Sequence, residues 1–459
     1  MKTVKIGGGQ GFYGDTPLPA LEMARKVDNL NYIGFDCLSE LTLSILQKDK
    51  KRDPQRGYTL DLLALMPRLL PIAFEKGIKI ITNGGGANPQ AARELILGIA
   101  RKLGIKGLKV ALVTGDDILT RLPELLDNGY RLESLDNGKA LADSGIPLER
   151  IASANAYLGA NLVADALAQG ADVVITGRVT DSALFLGPLI HEFDWKADDW
   201  NSLASGIVVG HLLECAGQVV GGNYAGGWEA IEGLEHIGYP VAEVNENGTF
   251  VITKTPGTGG LVSWDTVREQ LLYEVLDPNH YLTPDVDADF TSVKLEQVGE
   301  NRVKVSGIRG RPRPETLKVC LGYEDGWMGE AQICYSWPKA LAKARRADQI
   351  LRQILLANGL NYEEIRSDFI GYNALHGSLS SEEGVDALNE VVYRIAVRAK
   401  EEKDAERIFR ELVPLGLNGP PTATGNFLRA RPRELLALWT TLLPRQEIEQ
   451  GAKIEISES

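Results

Sequence analysis

The sequence predicts an α/β fold: a mainly parallel sheet with helices on both faces, Rossmann-like in its alternation, then a mixed β-rich region and a small α+β C-terminal unit. Three observations carry this expectation. The first half alternates short, continuously apolar runs with amphipathic stretches, and such strands joined by helices imply a parallel sheet covered on both faces. From about Gly233 the pattern changes to period-two alternation, as in FTSVKLEQV and RVKVSGI, the mark of antiparallel strands with one solvated face. From about Pro338 helical spacing returns in ALAKARRADQILRQILLANG. A chain of 459 residues exceeds one ordinary core, so these shifts set expected domains at 1–232, 233–337 and 338–459.

In order, VKIGGG, NYIGFD, IKIITN, LKVALVTG, ERIASANAY and DVVITGR read as strands. PLPALEMARKV, YTLDLLALMPRLLPIAFEKG, NPQAARELILGIARKLG, GANLVADALAQG and TDSALFLGPLIHEF read as the helices between them. A further helix is expected from Leu203 to Val220. In the last part, EVVYRIAVRAKEEKDAERIFRELVPLGLNG reads as strand, helix and glycine stop, and only residues after Glu455 are expected to lack order.

Hydrophobic content of 44% and charged content of 24% are those of a globular protein. No apolar run approaches the roughly 20 residues of a bilayer span, and the start MKTVKIGGGQGFYG reads as a strand and a loop, so a cytoplasmic protein with no membrane partner is expected. The formal net charge of −13 argues against a nucleic-acid partner. Cys37, Cys215, Cys320 and Cys334 form no CxxC pair, so neither a zinc ribbon nor a disulfide framework is expected.

Parallel sheets collect ligands at the carboxyl ends of their strands. The loops there are glycine-rich and polar: GGGQGFYGD with Gly8, Gly9 and Gln10; Asp36 and Glu40; NGGGANP with Asn83, Gly84, Gly85 and Asn88; TGDD with Asp116 and Asp117; SANAY with Asn155; and TGRVTD. Bare N–H groups at such turns suit an anion, although glycine also serves simply to make tight βα turns. GGGQGF breaks the GxGxxG register at Phe12, so no nicotinamide cofactor is expected. Asp116 and Asp117 could hold a divalent metal with Asp36 or Glu40, the basis of a metal-dependent hydrolase reading; a helix N-cap is the simpler role.

On the 203–220 helix, Gly206, Gly210, Gly217 and Gly221 share one face, which suggests that another backbone, a ligand or a second subunit comes close; a homo-oligomer is expected. His211, Glu214 and Cys215 form a polar stripe on the same helix. With Arg178 and Asp181 of TGRVTD they make the candidate catalytic set: His211 and Glu214 as acid and base, Arg178 as an anion holder, Cys215 as a possible nucleophile. The competing reading is a buried polar network in which Arg178 pairs with Asp181 or Glu214. Lys254 before PGTGG, and the basic stretch Arg302, Lys304, Arg309, Arg311, Arg313 and Lys318, are candidate seats for phosphates, or else the outward face of a hairpin.

Taken together, NGGGANP, TGDD, ANAYLGA, GADVVITGRVTDSA, GHLLECAGQVVGG, GYPVAEV, KTPGTGG and EQLLYEVLDPNHYLTPDV resemble the acyclic terpene utilisation protein family. The resemblance runs from the first strand to about Val319, and longer members carry a further small domain that this chain is expected to lack or shorten. It implies a setting in the breakdown of citronellol- and geraniol-type compounds, whose intermediates are carried as coenzyme A thioesters. It transfers no catalytic set. The resulting expectation is an enzyme acting by acid–base chemistry of the lyase, hydratase or isomerase kind on a small acyl substrate, a coenzyme A thioester of a branched or terpenoid acid. The alternative is a non-catalytic subunit that binds an acyl ligand or serves as a scaffold.

Overall fold

The computed structural model describes residues 2–424 and 430–459. They form two compact units, one of Met1–Tyr323 with Leu438–Ser459 and one of Glu324–Ala437, divided at other places than the composition shifts near 232 and 337.

The first unit is α/β and is built on a 10-stranded mixed sheet. Its parallel part contains β1 (Thr3–Gln10), β2 (Tyr32–Phe35), β3 (Lys79–Thr82), β4 (Lys109–Thr114) and, after β5 (Ile151–Ala156), β6 (Val173–Thr176), in the spatial order β1-β2-β3-β6-β4. Alternate residues of these strands enter separate cores. Ile80, Val110 and Val173 join α1 (Leu18–Lys26), α3 (Asp61–Lys76) and α4 (Pro89–Lys102), after α2 (Glu40–Arg52). Ile81, Ala111 and Val174 join, beyond α5 (Leu122–Asp127), the helices α6 (Asn161–Ala168), α7 (Ala183–Phe193) and α8 (Trp200–Leu213). Both faces are therefore buried, which is why the middles of these strands are apolar without alternation.

The sheet is mixed rather than mainly parallel. Antiparallel β7 (Pro240–Asn245) pairs with β1, β8 (Phe250–Lys254) with β7, and the hairpin formed after α9 (Trp264–Leu272) by β11 (Lys294–Gly299) and β12 (Arg302–Ser306) continues it. Before that hairpin lie β9 (Tyr281–Leu282) and β10 (Asp287–Asp289), which with β13 (Arg309–Arg311) form a small separate sheet. Strand β5, expected in the parallel sheet, instead pairs antiparallel with Val319–Tyr323 of β14 (Thr316–Ser336), where its polar Ser153 reaches Ser44 of α2.

In the second unit, the later part of β14 is followed by α10 (Ala340–Ala357), β15 (Glu364–Ile370), β16 (Glu390–Ala399), α11 (Glu402–Leu412), α12 (Leu415–Asn418) and β17 (Ala423–Thr424). The order β15-β16-β14-β17 is that of a split βαβ motif, the α+β arrangement expected for this part. After β18 (Arg433–Pro444) and α13 (Arg445–Glu449), β19 (Lys453–Glu458) returns to the first unit and pairs along the whole of β4. The C-terminal residues expected to lack order are thus held by a ladder. No helix among the described residues is long and apolar enough to cross a membrane.

Two further expectations change. The three glycines of GGG lie inside β1, not in a loop after it: a Cβ on Gly8 would stand 2.3 Å from the Leu213 carbonyl oxygen, so Gly8 lets α8 approach the sheet, while Gly7 makes room for Met23 of α1. The 203–220 helix ends at Leu213, and the chain leaves α geometry at Ala216, where φ is 45°. On α8, a Cβ on Gly210 would meet the Ser182 backbone at 2.5 Å and one on Gly206 would meet Leu186 at 2.4 Å; this part of the glycine face packs on α7 of the same chain.

Candidate active site

The turn after β6 positions the site. A buried carboxylate, Asp116 at the end of β4, accepts from the Arg178 backbone N–H at 2.8 Å and from Asn155 Nδ2 at 2.8 Å. A side chain at position 177 would strike that carboxylate at 2.5 Å, so glycine is required there. Fixed in this way, Arg178 lies only 1% exposed. Its Nη1 donates to the Leu38 carbonyl at 2.8 Å, its Nη2 donates to Asp181, and its guanidinium lies 4.3 Å from the Tyr157 ring centroid.

Tyr157 carries the array onward. Its hydroxyl donates to Glu40 Oε1 at 2.5 Å, Lys318 Nζ donates to the same oxygen at 3.0 Å, and Lys318 also lies 4.7 Å from the Tyr157 ring. Ser39 caps α2, a helix absent from the expected set, and so presents Glu40 at that helix's first turn. Burial opposes the charge on Glu40, but the Tyr157 hydrogen bond and the Lys318 ammonium outweigh it and hold the carboxyl down to about 2.

These residues line a cavity of about 690 Å³, within the usual range of small-molecule sites. Its polar lining includes Asp36, Glu40, Tyr157, Arg178, Asp181, Glu214 and Lys318; Leu38, Leu276, Leu282, Leu317 and Leu442 supply much of the apolar lining. Burial and the charge of Asp181 push the Asp36 carboxyl well above the ordinary carboxylate range, against the Arg178 charge and the hydrogen bond from Asn83 Nδ2 at 2.6 Å. Burial, with a contribution from Glu214, likewise raises Asp181 to about 6 despite the Arg178 charge. Its side chain is 35% exposed, so it remains accessible from the cavity. Arg178 Nε and Thr180 Oγ1 are buried and have no hydrogen-bond partner among the described residues.

The expected catalytic set is brought together only in part. Glu214, Arg178, Asp181 and Cys215 line the cavity. His211 does not: it is 1% exposed, its Nδ1 lies 3.0 Å from Glu214 Oε1, and its Nε2 lies 2.9 Å from the Gln270 carbonyl oxygen. Burial and the Glu214 charge push the Cys215 thiol far up, so it is no thiolate nucleophile near neutral pH.

Of the expected binding residues, Asp36 and Glu40 reach the cavity. Gly8, Gly9 and Gly85 are packing positions, and the Gly84 carbonyl accepts from Thr59. Gln10 donates to Asp61 at 2.6 Å, Asn83 orients Asp36, and Asn88 caps α4 while donating to Pro54 and Arg56 carbonyls. Asp116 and Asn155 support the Arg178 turn, and Asp117 accepts from the Leu119 backbone; among the described residues no three His, Cys, Asp or Glu side chains converge as metal ligands. Lys254 is folded onto the carbonyls of Thr258 and Gly259.

The basic stretch is largely taken up by carboxylates: Arg302 by Glu243, Arg311 by Asp289 at 3.1 Å, and Arg313 by Glu449 at 3.9 Å. Arg309 belongs to β13 and does not line the cavity. Only Lys318 of that stretch does so. Tyr157, Thr180 and Tyr281, which also line it, lie in motifs that the sequence singles out, but nothing local distinguishes a ring that faces a cavity from one in a core.

The sequence profile of the acyclic terpene utilisation family protein AtuA matches residues 4–454. The chain belongs to this family. The match covers the strands, the Arg178 turn and α8, so the residues of the cavity all lie within the family's shared extent. No curated protein and no solved structure matches the chain.

Proposed function

We propose that the cavity is the active site of an enzyme that acts by acid–base chemistry on the acyl chain of a branched, acyclic substrate, presented as a coenzyme A thioester. One observation carries the reading: Asp181 is paired with the buried Arg178, Asp36 lines the same cavity under the influence of both charges, and both carboxyls are held above their ordinary range. Two neighbouring carboxyls that hold a proton more tightly than usual can supply an acid and a base to one bound molecule, as hydration, dehydration or double-bond migration requires. The leucines of the lining suit a hydrocarbon. The family's setting in acyclic terpene utilisation supports such a chain.

Arg302, Arg311 and Arg313 are taken up by carboxylates, so the reading rests on recognition of the acyl part. The internal pairing of Glu40 with Tyr157 and Lys318 suits a second reading, a subunit that binds the acyl ligand without changing it. Product analysis separates the two. Purified protein is incubated with the thioester and the free acid of a geraniol-type compound, and products are identified by mass and chromatographic position. Gain or loss of one water, or an isomer of unchanged mass, supports the enzyme; tight binding with unaltered ligand supports the carrier and overturns the enzyme.

A further inference from the structure

His211 and Glu214 leave a proton to be assigned, and the hydrogen bonds assign it. The partner of His211 Nε2 is the carbonyl oxygen of Gln270, which can only accept, so Nε2 carries hydrogen. A neutral His211 then presents an acceptor at Nδ1, and the 3.0 Å contact with Glu214 Oε1 needs a protonated carboxyl; a cationic His211 donates from Nδ1 to a carboxylate. Either way one proton lies between the two side chains and the pair is neutral as a whole.

Only Glu214 lines the cavity. His211 is enclosed by the rings of Tyr281 and Phe290, with centroids at 5.6 and 5.4 Å, and by Gln270, whose Nε2 donates to the His211 carbonyl at 3.1 Å. The titratable and charged groups acting on the Glu214 environment are Asp36 from the end of β2, Arg178 and Asp181 from the turn after β6, Cys215 beside it, Tyr273 and Glu274 after α9 and Tyr281 of β9.

We propose that Glu214 and His211 form a one-proton dyad in which Glu214 exchanges the proton with bound substrate and His211, acting through it, is the positioning residue that keeps the proton available. This rests on the reading of the cavity as an acid–base site. When the shared proton passes through Glu214 to a substrate atom, a carboxylate is left facing a neutral imidazole whose Nε2–H stays on the Gln270 carbonyl; a proton taken from substrate returns to the Nδ1–Oε1 contact and the dyad is restored. No oxidant or reductant enters.

The test combines nitrogen-15 NMR of the imidazoles in the full chain with turnover of the geraniol-type thioester across pH. The expected spectrum shows a downfield proton shared between His211 Nδ1 and Glu214 Oε1 that is lost in Glu214→Gln. In His211→Asn the amide retains a hydrogen bond to Glu214 but cannot carry the proton, so kcat falls about tenfold or more with KM little changed, and its pH profile becomes that of a lone carboxyl. Where the buried substitution fails to fold, Glu214→Gln, which removes the exchanging carboxyl, is expected to lower kcat with the ionisation of the dyad gone from the pH profile. Absence of any proton shared between Nδ1 and Oε1 overturns the dyad even if turnover is normal, as does a variant that folds and keeps the wild-type pH profile. Failure of the wild type to convert the thioester overturns the acid–base reading itself.

Discussion

The backbone N–H of Arg178 donates to Asp116 Oδ2 at 2.8 Å, so the cation of the cavity is held in place by a carboxylate from a different strand. Asn155 Nδ2 shares that oxygen. Asp116→Ala leaves both donors buried without an acceptor and is expected to destabilise the protein by about 3 kcal/mol, with Asp116→Asn losing less because one amide oxygen remains. Denaturant unfolding of both variants checks the order; equal stabilities would contradict it.

Asp285 gives a pH dependence of known sign. Both its oxygens lie near the Ala160 N–H, at 2.9 and 3.1 Å, and burial raises its carboxyl to about 6 against that hydrogen bond and the Arg445 charge. Because the folded value lies above the unfolded one, its contribution is fully present below about pH 4 and is lost as pH rises through about 6. Asp285→Asn retains an acceptor but no titration. Its stability relative to wild type is expected to improve between about pH 4 and 6 and to stay level above, as read by thermal unfolding at each pH.

Two glycine substitutions should act in opposite directions. Gly210→Ala places a methyl 2.5 Å from the Ser182 backbone, where nothing flexible can give way, and is expected to cost about 1 to 3 kcal/mol. Gly98→Ala, inside α4 with nothing within 4 Å of the added carbon, is expected to stabilise by about 1 kcal/mol through helix propensity. Melting temperatures on either side of the wild-type value test the pair.

Cys215 lines the cavity as a thiol and not a thiolate. Native protein at pH 8 is expected to react with a thiol alkylating agent there far more slowly than unfolded protein, and Cys215→Ala is expected to keep turnover within about threefold. Rapid labelling of Cys215 with matching loss of activity would restore it as a nucleophile.

Much of the first unit was legible because apolar runs buried on both sides have few other homes: β1 to β4 and β6, with α1, α3, α4, α6 and α7, lie where periodicity puts them. Strand β5 was legible as a strand but not in its pairing, since a period-two stretch with Ser153 and Asn155 fits the edge of a parallel sheet as readily as an antiparallel partner. The GGG run misled for a physical reason: a glycine needed for close packing at Leu213 looks in sequence like a glycine needed for a turn.

In the site, Arg178, Asp181, Asp36, Glu40 and Glu214 were recoverable because polar residues after buried strands or on an apolar helix have little reason to be there unless paired or functional. His211 was placed one layer too near the substrate; helical spacing gives its angle but not the Gln270 carbonyl that occupies its second nitrogen. Tyr157 and Lys318 meet at Glu40 across sequence separations of 117 and 278, a distance that no local pattern reports.

Asp181→Asn bears most directly on the acid–base role of the Arg178 cavity. Its amide can still accept from Arg178 but holds no exchangeable acid proton at this position. Measured with the geraniol-type thioester, the variant is expected to bind within about threefold of wild type and to turn over about a hundredfold more slowly. Turnover equal to wild type at unchanged affinity would contradict that role.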